Sequence, residues 1–282
     1  MRRLYLNILL SVAFFCIAAP SYFSFSGVRA LPQKKSSEGS VFWKEDFKYS
    51  ASDLKKGLPG NWVLKSKPGT RKAVFSLVPG AEGGAGYMHM EADKASGTVI
   101  TQAKGVDLST SPVLKWRWRV TALPEGADGR LKEKDDQAIG LYVGSGGISG
   151  NKSVSYRWDT VTPKGSEGNA SYGMGAVKVK WFTLRNSEDP QGEWLIEERN
   201  VAEDFKNAWG YYPDKVYVSV SCNSQYTGTR SAADLEWIEF SGGVLPEVEE
   251  RPKPGIVDRV KDSLRSFSDA IRKKVKGLNN KK

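Results

Sequence analysis

The chain has 282 residues, with 42 lysines and arginines against 32 acidic residues and a formal net charge of +10 at pH 7. Two end segments hold much of the excess: 1–30 contains three arginines, and 255–282 contains nine basic residues and three aspartates. The remaining stretch, 31–254, holds 30 basic and 29 acidic residues, a balance that argues against a nucleic-acid-binding surface.

The first thirty residues have the pattern of a secretory signal peptide. Arg2 and Arg3 precede the largely apolar stretch 8–19, and Ala30 stands where a signal peptidase would cut. The apolar stretch is shorter than the roughly 20 residues of a transmembrane helix, which favours cleavage over an uncleaved anchor. We therefore predict cleavage after Ala30, a periplasmic or secreted protein, and a flexible lead-in over 31–40.

From Val41 onward, short β-type runs alternate with glycine and proline turns. This spacing is typical of an antiparallel sandwich or barrel, and it predicts an all-β, jelly-roll-like antiparallel β-sandwich over 41–245. One short helix is predicted inside this domain, at 201–209. The predicted strands are 41–47, 61–66, 72–78, 86–92, 97–103, 112–122, 137–144, 153–160, 176–185, 192–199, 215–222 and 234–240.

The clearest strand lies at 114–120, where apolar and basic residues alternate without a break. Successive side chains of a strand point to opposite faces, so one face should be buried and the other basic. The buried face would hold Leu114, Trp116, Trp118 and Val120, and the exposed face Lys115, Arg117 and Arg119. The same alternation predicts that Val177, Val179 and Trp181 are buried. The stretch 138–143 is apolar on both faces, which indicates a central strand.

The segment 246–282 is predicted to form a linker and then a basic amphipathic helix. Its apolar residues recur at steps of three and four, and lysines and arginines occupy the rest of the surface. Such a helix fits an anionic membrane surface, or it packs on the domain itself. The predicted membrane contacts are Ile256, Val260, Leu264, Phe267, Ile271, Lys273 and Lys274.

The chain has a single histidine, His89, which excludes a multi-histidine zinc site. No catalytic partner can be placed near it from the sequence, so carboxylates are the candidate catalytic groups. Asp128, Asp135 and Asp136 surround a loop that enters the central strand. Two such carboxylates could cleave a glycosidic bond or bind calcium, although the same composition occurs in solvated turns. Asp135 and Asp136 are thus the alternative catalytic pair, and calcium is the one cofactor that the sequence suggests.

Several motifs occur in a characteristic order over roughly 42–241. They are the tryptophan–arginine strand 116–120, the double aspartate 135–136, Tyr156-Arg157-Trp158, Arg199-Asn200-Val201 with Asp204-Phe205, and the closing run 232–240. This set resembles the DUF3047 family of exported bacterial proteins of unassigned function. The resemblance implies an exported β protein and does not imply an activity. The chain departs from the family at 222–225, where Cys-Asn-Ser-Gln replaces an expected Asp-rich segment.

These residues favour a binding module for a carbohydrate or another polyhydroxylated or anionic ligand. Arginine binds carboxylates and sulfates bidentately, and aspartate accepts hydrogen bonds from sugar hydroxyls. The predicted ligand contacts are Arg117, Arg119, Asp136, Arg157, Trp158 and Tyr217, with Asp136 and Asp159 as ion-pair partners of the basic strand. The alternatives are a glycoside hydrolase or polysaccharide lyase, and a structural envelope protein docked on the membrane by its C-terminal helix.

Overall fold

The computed structural model of the chain describes residues 39–49, 58, 61–80, 86–146 and 151–242. This part contains fourteen strands, one α-helix, α1 (Val201–Trp209), and two 3-10 turns at Lys132–Lys134 and Gly173–Gly175. The strands are β1 (Val41–Glu45), β2 (Val63–Lys65), β3 (Arg71–Lys72), β4 (Val74–Val78), β5 (Tyr87–Asp93), β6 (Ala95–Gln102), β7 (Val113–Ala122), β8 (Ile139–Ser145), β9 (Asn151–Trp158), β10 (Glu167–Tyr172), β11 (Val177–Arg185), β12 (Leu195–Asn200), β13 (Val216–Asn223) and β14 (Arg230–Ser241).

The strands form two sheets that pack face to face. The six-stranded sheet has the order β12-β7-β14-β5-β4, and β1 also pairs with β14. The eight-stranded sheet has the order β10-β11-β9-β8-β13-β6-β2, and β3 also pairs with β6. The predicted all-β sandwich is therefore confirmed.

The sequence had predicted purely antiparallel pairing, and this part of the prediction was wrong. β9 pairs with β11 in parallel, and β3 pairs with β6 in parallel. The first exception arises because β10 forms the sheet edge before the chain turns back and inserts β11 between β10 and β9. A strand that returns in this way runs in the same direction as β9.

The core lies between the two sheets and is centred on tryptophan. Trp116 and Trp118 of β7 are fully buried, as the alternation predicted. They meet β9 of the other sheet: Trp116 stacks on Tyr156 with ring centroids 5.2 Å apart, and Trp118 lies 5.8 Å from Trp158. Large rings of this kind remove much apolar surface from water, so they dominate the stabilisation of the sandwich.

The predicted short helix is confirmed as α1, which covers an end of the core. The Asn200 side chain caps its start by accepting a hydrogen bond from the backbone N–H of Glu203, a common device for helix N-termini. Gly210 ends it with φ of 82°, a left-handed conformation that glycine adopts without strain. The helix buries its apolar face, including Phe205, and thereby fixes the polar residues on its other side.

Three predicted segments lie outside the described residues. These are the signal peptide over 1–30, most of the lead-in over 31–40, and the linker and basic helix over 246–282. Cleavage at Ala30, export and membrane docking through the C-terminal segment therefore stay predictions. Among the described residues, no helix is both long and apolar enough to span a bilayer.

Candidate functional site

The predicted ligand contacts do not lie together on one surface. Arg117 and Arg119 point outward from the six-stranded sheet, whereas Arg157 and Tyr217 point outward from the eight-stranded sheet. Trp158 is fully buried in the core between the sheets, because its strand position alternates with that of Arg157. The protein thus has two chemically different outer faces, and the predicted residues are divided between them.

The outer face of the six-stranded sheet is a layer of ion pairs. Each basic side chain of β7 meets a carboxylate from an adjacent strand, because the registers of β12 and β14 place acids opposite it. The pairs are Lys115–Glu198 at 3.0 Å, Arg117–Glu236 at 2.6 Å and Arg119–Asp234 at 2.6 Å. The predicted partners Asp136 and Asp159 were wrong, and this face needs no anionic ligand to balance its charge.

His89 belongs to the same layer and should make stability depend on pH. Its Nδ1 lies 2.6 Å from Asp234, which also binds Arg119, and its Nε2 lies 3.9 Å from Glu91. The hydrogen bond to Asp234 raises the pKa of His89 above its ordinary value. A raised folded-state pKa means that the stabilisation is complete below the unfolded pKa of about 6.5 and is lost as pH rises through the folded value.

We therefore expect His89→Gln to destabilise the protein in mildly acidic buffer and to have less effect at alkaline pH. The difference should reach about 1 kcal/mol at most, because the pair is partly exposed. Urea titrations of both proteins across this pH range measure it, and no other histidine in the chain can contribute. A difference that grows with rising pH would refute the assignment.

Asp136 is a structural anchor in the described fold. It is fully buried, and its Oδ2 accepts hydrogen bonds from the backbone N–H groups of Tyr226 and Thr227, at 2.9 and 2.7 Å, and from Thr227 Oγ1 at 3.0 Å. Burial raises the pKa of Asp136 even though the bonds from Thr227 oppose the shift. The carboxylate holds the turn before β14 against the loop before β8.

Asp135 is also engaged. Its Oδ1 accepts from Arg157 Nη1 at 2.8 Å, and its Oδ2 accepts from Tyr172 Oη at 2.7 Å. Neither aspartate of the proposed catalytic pair therefore offers an uncommitted, solvent-facing carboxylate. Within the part of the chain that the structure describes, no cluster of three or more His, Cys, Asp or Glu side chains is arranged to hold a metal ion.

The outer face of the eight-stranded sheet is organised in rows that cross the strands. The registers set the members of each row side by side. The middle row is Ser219, Tyr142, Ser155, Trp181 and Gly168. The row on one side of it is Tyr217, Gly144, Ser153, Val179 and Ala170. The row on the other side is Ser221, Gly140, Arg157 and Thr183. The glycines of β8 and the buried serines of β9 thus lie between Tyr217 of β13 and Trp181 of β11, with Tyr142 among them.

This face curls inward at its β10 edge. Tyr172 pairs with Val177 and Arg157 with Thr183, six residues further along β11, which is about 20 Å on a flat sheet. Yet Arg157 Nη2 lies 3.1 Å from Tyr172 Oη. Two side chains could not span that distance unless the edge of the sheet bends toward them. The outward side of β6, β8, β9, β10, β11 and β13 is therefore called the concave face.

Two aromatic rings lie flat along this surface because glycine stands beneath them. A Cβ atom at Gly168 would overlap the ring of Trp181, and one at Gly146 would overlap the ring of Tyr217. Tyr217 remains partly exposed, whereas Trp181 is only 4% exposed, with the Arg157 guanidinium 5.1 Å from its ring centroid. The accessible part of the concave face is therefore the region around Tyr142 and Tyr217.

The concave face carries almost no charge. Among the described residues of its six strands, Arg157 is the one charged side chain at an outward position. Arg157 is fully buried and paired with Asp135, so its charge is neutralised. The remaining polar groups are hydroxyls and amides. This contrasts with the ion-pair layer on the opposite side of the sandwich.

Several polar atoms at this face have spare hydrogen-bonding capacity. Tyr142 Oη accepts from Gln137 Nε2 at 3.0 Å and from Ser221 Oγ at 3.3 Å, which leaves its own proton to donate. Gln137 Oε1 and Ser155 Oγ are buried and have no hydrogen-bond partner among the described residues. Both atoms lie below the solvent-exposed surface, so the group at this face that can serve a hydroxyl-bearing ligand is the Tyr142 hydroxyl, on a partly exposed side chain.

Sequence reasoning missed Tyr142. It correctly predicted that Trp181 is buried, but not on which side of the sheet. Val179 and Trp181 lie on the concave face, outside the main core, because β11 turns Phe182 and Leu184 inward instead. The alternation was correct, but it cannot tell which apolar face meets the other sheet. The signal for Tyr142 was its place between Gly140 and Gly144, since small residues at alternate positions leave room on one face.

Fold and surface together define a two-sheet β-sandwich with a concave, uncharged and aromatic-lined outer face. Within that class, the chain belongs to the family described as "Protein of unknown function (DUF3047)", whose profile matches residues 61–239. This confirms the resemblance seen in the sequence. A comparison with curated proteins finds no match.

Three solved structures illustrate what the chain is similar to. The family 11 carbohydrate-binding module of cellulosomal cellulase Lic26A-Cel5E of Clostridium thermocellum is 12% identical over 73% of this chain and 97% of that one, with a TM-score of 0.40. The CBM22-1 xylan-binding domain from Paenibacillus barcinonensis Xyn10C is 11% identical over 73% of this chain and 96% of that one, with a TM-score of 0.36. The carbohydrate esterase vb_24B_21 from Shiga toxin-encoding bacteriophage phi24B is 13% identical over 73% of this chain and 99% of that one, with a TM-score of 0.39. Scores this low do not transfer what those proteins bind or act on.

Proposed function

We propose that this protein is a non-catalytic binding module whose concave face holds an uncharged saccharide. The observation that carries the proposal is the pair of partly exposed rings, Tyr142 and Tyr217, which lie beside Gly144 and Ser219. The prediction of export for 1–30 supports the proposal, because it would bring the protein to extracellular and envelope polysaccharides.

The chemistry of this surface matches a sugar on both of its sides. A pyranose presents C–H groups on its face and hydroxyls around its edge, and aromatic rings bind the first by packing. The hydroxyls of Ser219 and Tyr142, both on partly exposed residues, can exchange hydrogen bonds with the hydroxyls of the sugar. Since the concave face has no unpaired charge in its described strands, a neutral saccharide fits better than the anionic one that the sequence also allowed.

A Tyr217→Ala variant should lose saccharide binding. A ring at the centre of a binding surface typically contributes about 2 kcal/mol or more, so the affinity should fall at least tenfold. The wild-type protein is first screened on an array of neutral and acidic glycans. Calorimetry with the best neutral oligosaccharide then compares the variants.

Tyr87→Ala is the matched control, because Tyr87 is an equally half-buried tyrosine on the opposite outer face. It should leave the affinity unchanged. Circular dichroism establishes that both variants fold. Binding that survives Tyr217→Ala and is lost in Tyr87→Ala would place the site on the six-stranded sheet and contradict the proposal.

A further inference from the structure

A cleft of about 580 Å³ opens at the edge of the sandwich between the β10–β11 hairpin and helix α1. Lys180 and Phe182 line it, and they alternate along β11 with Val179 and Trp181 of the concave face. The cleft therefore lies on the other side of β11 and is separate from the concave face. Its volume falls in the range of small-ligand sites.

The base of this edge cleft is rigid. The guanidinium of Arg199 binds Asp204 through Nε at 3.0 Å and Nη2 at 2.8 Å. It also lies beside two stacked rings, 5.5 Å from the centroid of Tyr156 and 5.3 Å from that of Phe182. Tyr156 Oη donates to the same carboxylate at 2.7 Å. Groups held this firmly pay little ordering cost when a ligand binds.

The charges in the edge cleft cancel. Arg199 pairs with Asp204, and Lys180 Nζ lies 2.7 Å from Glu167. The uncommitted groups are neutral: the side chains of Asn169, Asn207 and Ser166 line the cleft and make no hydrogen bond to any described residue. Two amides and a hydroxyl that line the same cleft as the Phe182 ring can exchange hydrogen bonds with ligand hydroxyls.

We propose that the edge cleft is a second site, for one or two units of an uncharged saccharide. This inference rests on the proposed function, since it takes the same class of ligand. The protein would then hold a polysaccharide at two points, which raises the apparent affinity for a long chain without tightening either site.

The test uses the full chain, labelled with nitrogen-15, and the neutral disaccharides cellobiose, maltose and lactose at millimolar concentration. The side-chain amide signals of Asn169 and Asn207 are assigned by their loss in Asn169→Ala and Asn207→Ala. At least one disaccharide should shift both signals, and the shifts should persist in Tyr217→Ala. Asn207→Ala should weaken this binding about two- to tenfold, as expected for one lost hydrogen bond.

Asn61→Ala, at an exposed asparagine far from the cleft in sequence, is the control and should change nothing. If none of the disaccharides moves the two amide signals, the edge cleft is not a saccharide site. Shifts that vanish in Tyr217→Ala would come from the concave face and would equally overturn the inference. Neither result contradicts the proposed function, provided that Tyr217→Ala still abolishes binding of the oligosaccharide selected on the array.

Discussion

Replacing Trp118 with alanine should lower the free energy of unfolding by about 3–5 kcal/mol, the range observed when a buried large aromatic is truncated. Trp118 is fully buried. Its ring meets Trp116 at 5.3 Å and Trp158 at 5.8 Å between centroids, and its Nε1 donates to Glu197 at 3.2 Å. The substitution opens a cavity and removes one of the two hydrogen bonds that Glu197 Oε1 accepts, the other coming from Arg185 Nε. Urea or guanidinium titration measures the loss.

Lys115→Ala on the same strand is the matched control. Its partner Glu198 is 60% exposed, and surface pairs of this kind contribute about 0–1 kcal/mol. The two variants therefore separate the two faces of β7 by several kcal/mol. Similar small losses in both would mean that the faces of this strand are assigned the wrong way round.

Replacing Arg157 with methionine should also cost about 3–5 kcal/mol, because breaking a buried ion pair leaves an uncompensated charge. Arg157 has no exposed surface, and its partner Asp135 is 9% exposed. Burial raises the pKa of Asp159, and the nearby Arg157 charge partly opposes that shift. Methionine fills a similar volume but provides no cation, so two carboxylates would lose their counter-charge. Thermal and denaturant unfolding at neutral pH measure the loss.

Two further results would establish that charge causes this loss. The double variant Arg157→Met with Asp135→Asn should recover much of the stability, because the unpaired carboxylate is gone. The gap between Arg157→Met and wild type should also narrow in acidic buffer, where protons neutralise the carboxylates. A gap that is independent of pH, with no recovery in the double variant, would show that Arg157 acts only through its packing on Trp181.

The strands were predictable because the two-residue alternation of a half-buried strand is written directly in the sequence. Trp116 and Trp118 show this, and α1 was predicted with its observed bounds. The strand β10 was missed, since Glu-Gly-Asn-Ala-Ser-Tyr has few of the branched and aromatic residues that favour strands. It forms because it sits at the edge and pairs with β11 alone.

The site was harder to predict, because it depends on contacts between residues distant in sequence. The partners of Arg117 and Arg119 come from β14, more than one hundred residues away, and no local pattern encodes that register. Alternation also cannot decide which of two outer faces binds a ligand. Arg157 and Tyr217 were therefore assigned to one surface with Arg117 and Arg119, although the fold puts them on opposite sides of the sandwich.

Hydroxyl-radical footprinting with the best neutral oligosaccharide tests most directly which outer face binds. Tyr142 and Tyr217 report on the concave face, and Tyr87 and Trp194 report on the ion-pair layer; all four are half-buried and can be followed by mass spectrometry in one sample. We expect saturating ligand to reduce oxidation of Tyr142 and Tyr217 and to leave Tyr87 and Trp194 unchanged. Protection confined to Tyr87 and Trp194, or no protection with any oligosaccharide that the array retains, would contradict the concave face as the saccharide site.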